Sequence, residues 1–244
     1  MSKTEQEDKD NNVCAGGFKV KRLLRSLLAS PDFEKSLKGL AISPERTISP
    51  LLCFLYETDE LIRWRAVRGI GITVSALAEK NLESARIIMR RLMWSLNDES
   101  GGIGWGAPEA MGEIMAESGA LAKEYYRILV SYVDVDGNLL ENDELERGVL
   151  WAIGRLAGRR PELFRDSTRP IIAQLNSSDP VKRGLALRAL VFLRQGGLDA
   201  GHLASLLVPL TQDQTAIRVF ENGVFVEHKV CRLASQLLDR TGLS

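Results

Sequence analysis

The residues most suggestive of chemistry form a glycine-rich stretch, ESGGIGWGAPEAMGE, from Glu99 to Glu113. A P-loop requires GxxxxGK[ST], yet the next lysine after these glycines is Lys123. A dinucleotide-binding fingerprint follows a strand, whereas RRLMWSLNDE, just before the glycines, has helical character. Pro108 and Glu109 suit the first turn of a helix. We therefore expect a loop and a loosened first helical turn, with partner or anion contact through free amides as the alternative.

A second stretch, DVDGNLLENDELE from Asp134 to Glu146, has the composition of a calcium loop. An EF-hand loop that begins at Asp134 requires glycine at its sixth position and glutamate at its twelfth. Those positions hold Leu139 and Leu145. The stretch therefore predicts a loop between two helices, turned at its Asp-Gly pair, and no metal site.

The sequence contains few candidates for catalytic residues. Nucleophilic catalysis requires a base beside the nucleophile, and His202 and His228 lie in no recognisable motif with serine or cysteine. We expect His202 at a helix start and His228 on the exposed side of the last helix. Glu109 and Glu113 are four residues apart on one helical face, as an acid–base pair would be, but such pairs are usually solvated. The sequence therefore names no catalytic residue and no cofactor.

Composition and charge restrict the class of protein. The 244 residues include 32 basic and 32 acidic side chains, and this neutral balance argues against wholesale binding to nucleic acid or to an anionic membrane. Cys14, Cys53 and Cys231 form no CxxC pair, which indicates neither a disulfide framework nor a zinc site and fits a reducing cytoplasm. The charged N-terminus lacks the apolar stretch of a secretory signal. We expect a cytoplasmic protein, with a disordered tail over 1–17 and one domain over 18–244.

Ten-residue segments with a shared pattern recur five times, with their fifth positions 37 to 44 residues apart. Positions 1, 5, 8, 9 and 12 of this frame are apolar or small in nearly every copy, which is one face of an α-helix. A second apolar segment precedes each copy, so two helices occupy each period of roughly 40 residues. The five segments are IRWRAVRGIG (62–71), IGWGAPEAMG (103–112), LERGVLWAIG (145–154), KRGLALRALV (182–191) and VEHKVCRLAS (226–235).

This period and layout resemble HEAT repeats, of the short-helix type found in bilin-lyase-like proteins. The Asp-x-x-Val-Arg opening of a HEAT second helix survives best in SDPVKRGLALRAL (178–190), whereas Gly104 and Glu146 replace its basic residue in the second and third copies. The resemblance covers about Ser49 to Leu243. It implies an all-α fold, an α-solenoid of five helix pairs, with Lys19 to Thr47 as an N-terminal helical cap.

A small β element is expected inside the last repeat. In AIRVFENGVFVEHK, apolar residues alternate around Asn222-Gly223, which is the strongest short-range signal of a β-hairpin. We predict strands at about Ile217–Phe220 and Val224–Val226, with an irregular loop as the alternative.

Positions 3, 7 and 11 of the frame fall opposite the core positions, in a line along each helix. The resemblance places them on the concave surface, which the second helices of HEAT arrays line. These positions hold three of the four tryptophans and several arginines, a composition typical of binding hot spots. The alternative is that the tryptophans pack between repeats; Trp94, on a first helix, is expected in the core. The partner-binding residues predicted from this line are Trp64, Arg68, Trp105, Glu109, Glu113, Arg147, Trp151, Arg155, Arg188 and Arg232.

The leading hypothesis is a non-catalytic scaffold that binds a protein or peptide on this surface. On this hypothesis, replacing Trp64, Trp105 or Arg68 releases the partner without lowering the melting temperature. One alternative is a DNA-binding protein resembling the alkylpurine DNA glycosylases, with Trp105, Glu109 and Trp151 at its site; the zero net charge disfavours it. The other, implied by the bilin-lyase resemblance, is a lyase- or isomerase-like chaperone for a protein-bound cofactor. The sequence does not indicate the oligomeric state.

Overall fold

The computed structural model describes residues 17–96 and 104–239, which form consecutive helix pairs and one β-hairpin. Helix α1 includes residues 17–29, and α2 spans Phe33–Lys38. These two helices precede the repeats, as the predicted N-terminal cap requires. The five pairs are α3 (Pro44–Cys53) with α4 (Glu60–Lys80), α5 (Leu82–Leu96) with α6 (Ala107–Glu117), α7 (Gly119–Ser131) with α8 (Asp143–Ala157), α9 (Arg169–Ala173) with α10 (Pro180–Gln195), and α11 (Ala204–Leu210) with α12 (Val230–Leu238).

Three of the second helices, α4, α8 and α10, begin at polar residues whose side chains cap the free amides. The side chains of Asp59, Asn142 and Asp179 accept hydrogen bonds of 2.8–3.1 Å from backbone N–H groups two or three residues further on. Pro108 and Pro180 lie in the first turn of α6 and α10, where a missing N–H costs nothing. Local sequence therefore fixes where α4, α6, α8 and α10 start.

Neighbouring second helices pack side by side, in the order α4, α6, α8, α10 and α12. Small residues allow this close packing: a Cβ added at Gly112 in α6 would lie 2.5 Å from Ala152 Cβ in α8. The structure confirms the predicted core face. Positions 5 and 9 of the frame are buried in all five copies: Ala66, Ala107, Val149, Ala186 and Val230, and Ile70, Met111, Ile153, Leu190 and Ala234.

The predicted hairpin is confirmed and is longer than expected. Strand β1 (Ala216–Glu221) pairs antiparallel with β2 (Val224–Lys229), from Glu221 opposite Val224 to Ala216 opposite Lys229. Asn222 and Gly223 form the turn with φ of 50° and 85°, the left-handed conformations that a two-residue hairpin turn requires. The hairpin connects α11 to α12.

The hairpin lies across the second helices, and we call the face that it covers the inner surface. Ile217 packs against Gly184 of α10, Trp151 Nε1 of α8 donates a 3.2 Å hydrogen bond to the Phe220 carbonyl, and the ring of Phe33 contacts Gly223. Six residues of strand span roughly 20 Å. The turn nevertheless reaches Arg65 of α4 and Phe33 of α2, at the start of the array. Four helix spacings of about 8–10 Å would separate α4 from α12 by more than this in a flat layer, so the inner surface is concave.

The sequence-based expectations for Trp94 and His228 are wrong. Trp94 is 79% exposed, because the buried stripe of α5 consists of Ala85, Met89, Leu92 and Leu96 and position 94 falls outside it. His228 lies in β2 opposite Ile217, because the strand continues to Lys229 and α12 begins only at Val230. Among the helices within 17–96 and 104–239, none is long and apolar enough to cross a membrane.

Candidate functional site

An aromatic cluster lies between the hairpin and the second helices. Trp64 of α4 has its ring centroid 4.8 Å from that of Trp151 in α8 and 5.4 Å from that of Phe220 in β1. Phe225 of β2 lies 5.4 Å from Phe220, with the guanidinium of Arg218 3.7 Å above its ring. Trp151 is 3% exposed, and Trp64 is half-buried. The expectation of exposed rings is therefore wrong for Trp151, because the hairpin covers this part of the inner surface.

A charged cavity of about 510 Å³ opens beside the hairpin turn. We call it the inner cavity. Five cationic and four carboxylate side chains line it, an excess of one positive charge. They are Lys38, Arg68, Arg155, Arg159 and Arg188, and Glu34, Glu113, Glu117 and Glu221. Trp151, Phe192, Phe220, Asn222 and three glycines complete the wall.

Arg68 and Arg155 bind two glutamates of α6 from either side. Arg68 donates to Glu113 at 2.8 Å and to Glu117 at 2.6 Å, and Arg155 contacts the same two carboxylates at 2.9 and 3.1 Å. Arg68 also donates to Glu34 of α2 at 2.9 Å. This network therefore links α2, α4, α6 and α8 along the inner surface.

The network favours the charged forms of Arg68 and Glu117. Burial of Arg68 by itself would lower its pKa, but the hydrogen bond to Glu34 and the charges of Glu113 and Glu117 raise the pKa instead. Burial of Glu117 opposes ionisation, yet its hydrogen bond to Arg68 and the nearby arginine charges hold its pKa below the usual value. Neither group is therefore poised to exchange a proton near neutral pH.

Arg188 of α10 is the most buried cation of the inner cavity. It is 6% exposed, and its Nε donates to Glu221 Oε1 of β1 at 2.6 Å. Its Nη1 is buried and makes no hydrogen bond to any residue that the structure describes. Burial lowers the pKa of Arg188, and the charge of Glu221 opposes that change. The guanidinium lies over the ring of Phe192, 5.0 Å from its centroid.

Half of the predicted partner-binding residues line the inner cavity: Arg68, Glu113, Trp151, Arg155 and Arg188. The i, i+4 line that predicted them also leads one step further, to Glu117 in α6 and to Arg159 two residues after the end of α8, and neither residue was predicted. Glu34, Lys38 and Glu221 come from α2 and the hairpin, and no repeat pattern indicated them.

The other predicted residues lie outside this cavity. Trp64 belongs to the aromatic cluster, and Trp105, 37% exposed, precedes α6. Arg147 pairs with Asp179 at 2.7 Å and with Glu144, and Arg232 is exposed on α12. Of the three residues suggested for DNA binding, Trp105, Glu109 and Trp151, only Trp151 lines the inner cavity.

Glu109 has a distinct environment on the side of α6 that faces α8. A Cβ added at Gly148 would lie 2.7 Å from Glu109 Oε1, and Glu109 Oε2 is buried with no hydrogen-bond partner among the described residues. Burial raises the pKa of Glu109 to about 7, with a further contribution from Glu144, although Arg63 opposes it. The carboxyl therefore titrates near neutral pH.

The structure describes part of the glycine-rich stretch and the whole of the stretch from Asp134, both of which were predicted to be loops. Gly101 to Ile103 lie outside the described residues, and α6 starts directly after Gly106, whose φ is 73°. The stretch from Asp134 is a loop between α7 and α8, in which Arg169 binds Asp134 at 3.3 Å and Asp136 at 2.5 Å. The described residues hold no group of three or more acidic, histidine or cysteine side chains suited to a metal ion.

Comparison with known proteins supports the repeat architecture. Residues 143–193, which contain α8 to α10, match the HEAT-like repeat family. This match includes SDPVKRGLALRAL, the best-preserved copy, and gives no support to the bilin-lyase resemblance. An uncharacterised protein of Archaeoglobus fulgidus is 36% identical over 120 residues, which are 49% of this chain and 56% of that protein. The chain therefore spans little more than half of this relative.

Two solved structures with a similar fold are engineered proteins. One engineered protein has a TM-score of 0.50 with 17% identity, over 91% of this chain and 95% of its own. A designed armadillo repeat protein in complex with a (KR)4 peptide has a TM-score of 0.49 with 19% identity, over 89% and 97%. At these identities the likeness concerns the fold alone.

Proposed function

We propose that this chain, a HEAT-repeat protein, is a non-catalytic scaffold that binds a protein or peptide partner at the inner cavity. The observation that carries the proposal is the convergence of charged side chains from α2, α4, α6, α8, α10 and β1 on one concave surface. Repeat arrays bind macromolecules on extended surfaces of this kind, since each repeat contributes a few contacts.

The composition of the inner cavity favours binding over catalysis. Its lining among the described residues includes no serine, threonine, cysteine, histidine or tyrosine. The carboxylates of Glu113 and Glu117 are bound by arginines, so they are poor general bases. What remains is a set of fixed charges, which can orient a partner and select it by charge.

The aromatic cluster and the ion-pair network make this surface rigid before a partner arrives. The indole of Trp151 is held by the Phe220 carbonyl, and Arg68 is held by three carboxylates. Preorganised side chains lose little conformational entropy on binding, so a larger share of the contact energy contributes to affinity.

The experiment that tests the proposal compares proteins captured from native lysate by the full chain and by two charge-reversal variants. Lys38 and Arg159 are exposed cations of the inner cavity, and K38E/R159E reverses both at little cost to folding. Lys123 on α7 and Arg91 on α5 are exposed cations outside the inner cavity, and K123E/R91E gives the matched control.

The proposal predicts a captured protein whose yield falls at least roughly tenfold with K38E/R159E and stays unchanged with K123E/R91E. Circular dichroism spectra and melting temperatures should agree among the three proteins. Equal capture by both variants would contradict the inner cavity as the binding site.

A further inference from the structure

One donor in the inner cavity has no acceptor. Arg188 gives its Nε–H to Glu221, but Nη1 is buried without a hydrogen-bond partner within the described parts of the chain. A charged donor that has lost water and gained no acceptor costs free energy, and proteins seldom retain such a group without use.

The surrounding chain makes room for this guanidinium. A Cβ added at Gly154 would lie 2.7 Å from Arg188 Nη1, closer than side chains approach one another, so the absence of a side chain at position 154 permits this position. Gly154, Arg188 and Phe192 all line the inner cavity. Shape and an aromatic ring therefore hold the guanidinium at the cavity wall.

The charges of the inner cavity specify what would complete it. Glu34, Glu113 and Glu117 are all bound by Arg68 or Arg155. Glu221 accepts a hydrogen bond from Arg188 Nε and none from its other nitrogens. Lys38 and Arg159, both exposed, form no ion pair with any described residue. The unpaired cations are therefore Lys38 and Arg159. Glu221 balances the charge of Arg188, which still has a free donor at Nη1, and the whole lining carries a net charge of one positive.

We propose that the inner cavity binds a carboxylate of an acidic peptide segment, with Arg188 as the inner donor and Arg159 and Lys38 at the mouth. This proposal rests on the proposed scaffold function and names the chemistry of its partner. One carboxylate cancels the excess charge. A phosphate monoester, with a charge of about −1.5 to −2, would place all of that charge beside four glutamates, whereas an acidic segment inserts one carboxylate and keeps its others in solvent. The arginines of this cavity already take carboxylates, at 2.6–3.1 Å.

The test titrates the full chain by calorimetry with three probes: acetylated and amidated tetraglutamate, tetraglutamine with the same ends, and inorganic phosphate. Tetraglutamate should bind with saturation at one site per chain, and more weakly as salt is added, because screening weakens charge pairing. Tetraglutamine and phosphate should not saturate over the same concentrations.

Three variants locate the binding site. R188M removes the inner donor and should weaken tetraglutamate binding roughly tenfold or more, the usual effect of losing a hydrogen bond to a charged group. K38Q/R159Q removes only exposed charges and should weaken it by about two- to tenfold. G154A keeps every charge but occupies the space of Nη1, so it should weaken binding by displacing the guanidinium. If R188M fails to fold, G154A and K38Q/R159Q decide the question, with K123Q/R91Q as the matched control.

The proposal is overturned if tetraglutamate does not saturate, if phosphate binds as well as tetraglutamate, or if none of the three variants weakens binding. Its failure is distinguishable from failure of the scaffold function. If capture of a partner from lysate depends on Lys38 and Arg159 but tetraglutamate does not bind, only the proposal of an acidic peptide ligand is contradicted. If tetraglutamate binds but K38E/R159E leaves the capture of partners from lysate unchanged, the scaffold function is contradicted.

Discussion

Replacement of Glu109 by glutamine should remove most of the fall in unfolding free energy that ionisation of Glu109 causes between pH 4.5 and pH 8. The pKa of Glu109 is raised from 4.5 to about 7 because burial outweighs the opposing effects of a backbone hydrogen bond and of the Arg63 charge. The folded chain therefore retains a proton that the unfolded chain loses above pH 4.5. This contribution to stability is complete below pH 4.5 and is lost as the pH rises through about 7.

The size of the effect follows from the two pKa values. At about 1.4 kcal/mol per pH unit, the wild-type protein loses about 3 kcal/mol of unfolding free energy between pH 4.5 and pH 8 through this group. E109Q stays neutral throughout. At pH 8 it should be more stable than the wild-type protein by up to about 3 kcal/mol, or roughly 6–12 °C in melting temperature. Near pH 4.5 the two should be similar.

The assay is urea unfolding followed by circular dichroism at pH 5 and pH 8. The control is E141Q, which changes an exposed glutamate in the loop before α8 and should follow the wild-type protein at both pH values. If E109Q were less stable than the wild-type protein at pH 8, the ionised carboxylate would be stabilising, most simply through Arg63. That result would refute the reasoning.

Two further predictions concern packing on the inner surface. W64A should destabilise the protein by about 3 kcal/mol in urea unfolding, because it leaves a gap between Trp151 and Phe220. An unchanged stability would mean that the aromatic cluster contributes little to folding, which is what the sequence alone suggested for Trp64. G112A should destabilise by about 1–3 kcal/mol despite a better helix propensity, because its Cβ would lie 2.5 Å from Ala152 Cβ. G158A, whose Cβ would meet only ordinary contacts of 3.5 Å, serves as control, and equal stability of the two variants would argue against close packing of α6 on α8.

The repeat and the hairpin could be predicted because each has a local signal. Positions 5, 8 and 9 repeat at helical spacing, and Asn222-Gly223 is a turn sequence that needs no tertiary context. The i, i+4 line through Arg68, Glu113 and Arg155 likewise placed charged residues on one surface, where the inner cavity lies.

The docking of the hairpin could not be predicted, because it depends on contacts far apart in sequence. Arg65 and Gly223 are separated by 158 residues, and Trp151 and Phe220 by 69. Without knowledge of these contacts, the sequence pattern predicts an exposed Trp151 and an ordinary surface cation at Arg188. Lys38 and Glu34 lie in α2, before the first repeat, so the repeating sequence pattern does not predict that they line the inner cavity.

The central claim is that the inner cavity is the contact surface for a partner, and site-specific photo-crosslinking in living cells tests it most directly. A photoreactive phenylalanine analogue would replace Lys38 or Arg159 at the cavity, or Arg91 or Lys123 outside it, and irradiated cells would be analysed for adducts of the full chain. The account predicts adducts from positions 38 and 159 with a common protein, and none with that protein from positions 91 and 123. Adducts with a partner from positions 91 or 123 alone would contradict it.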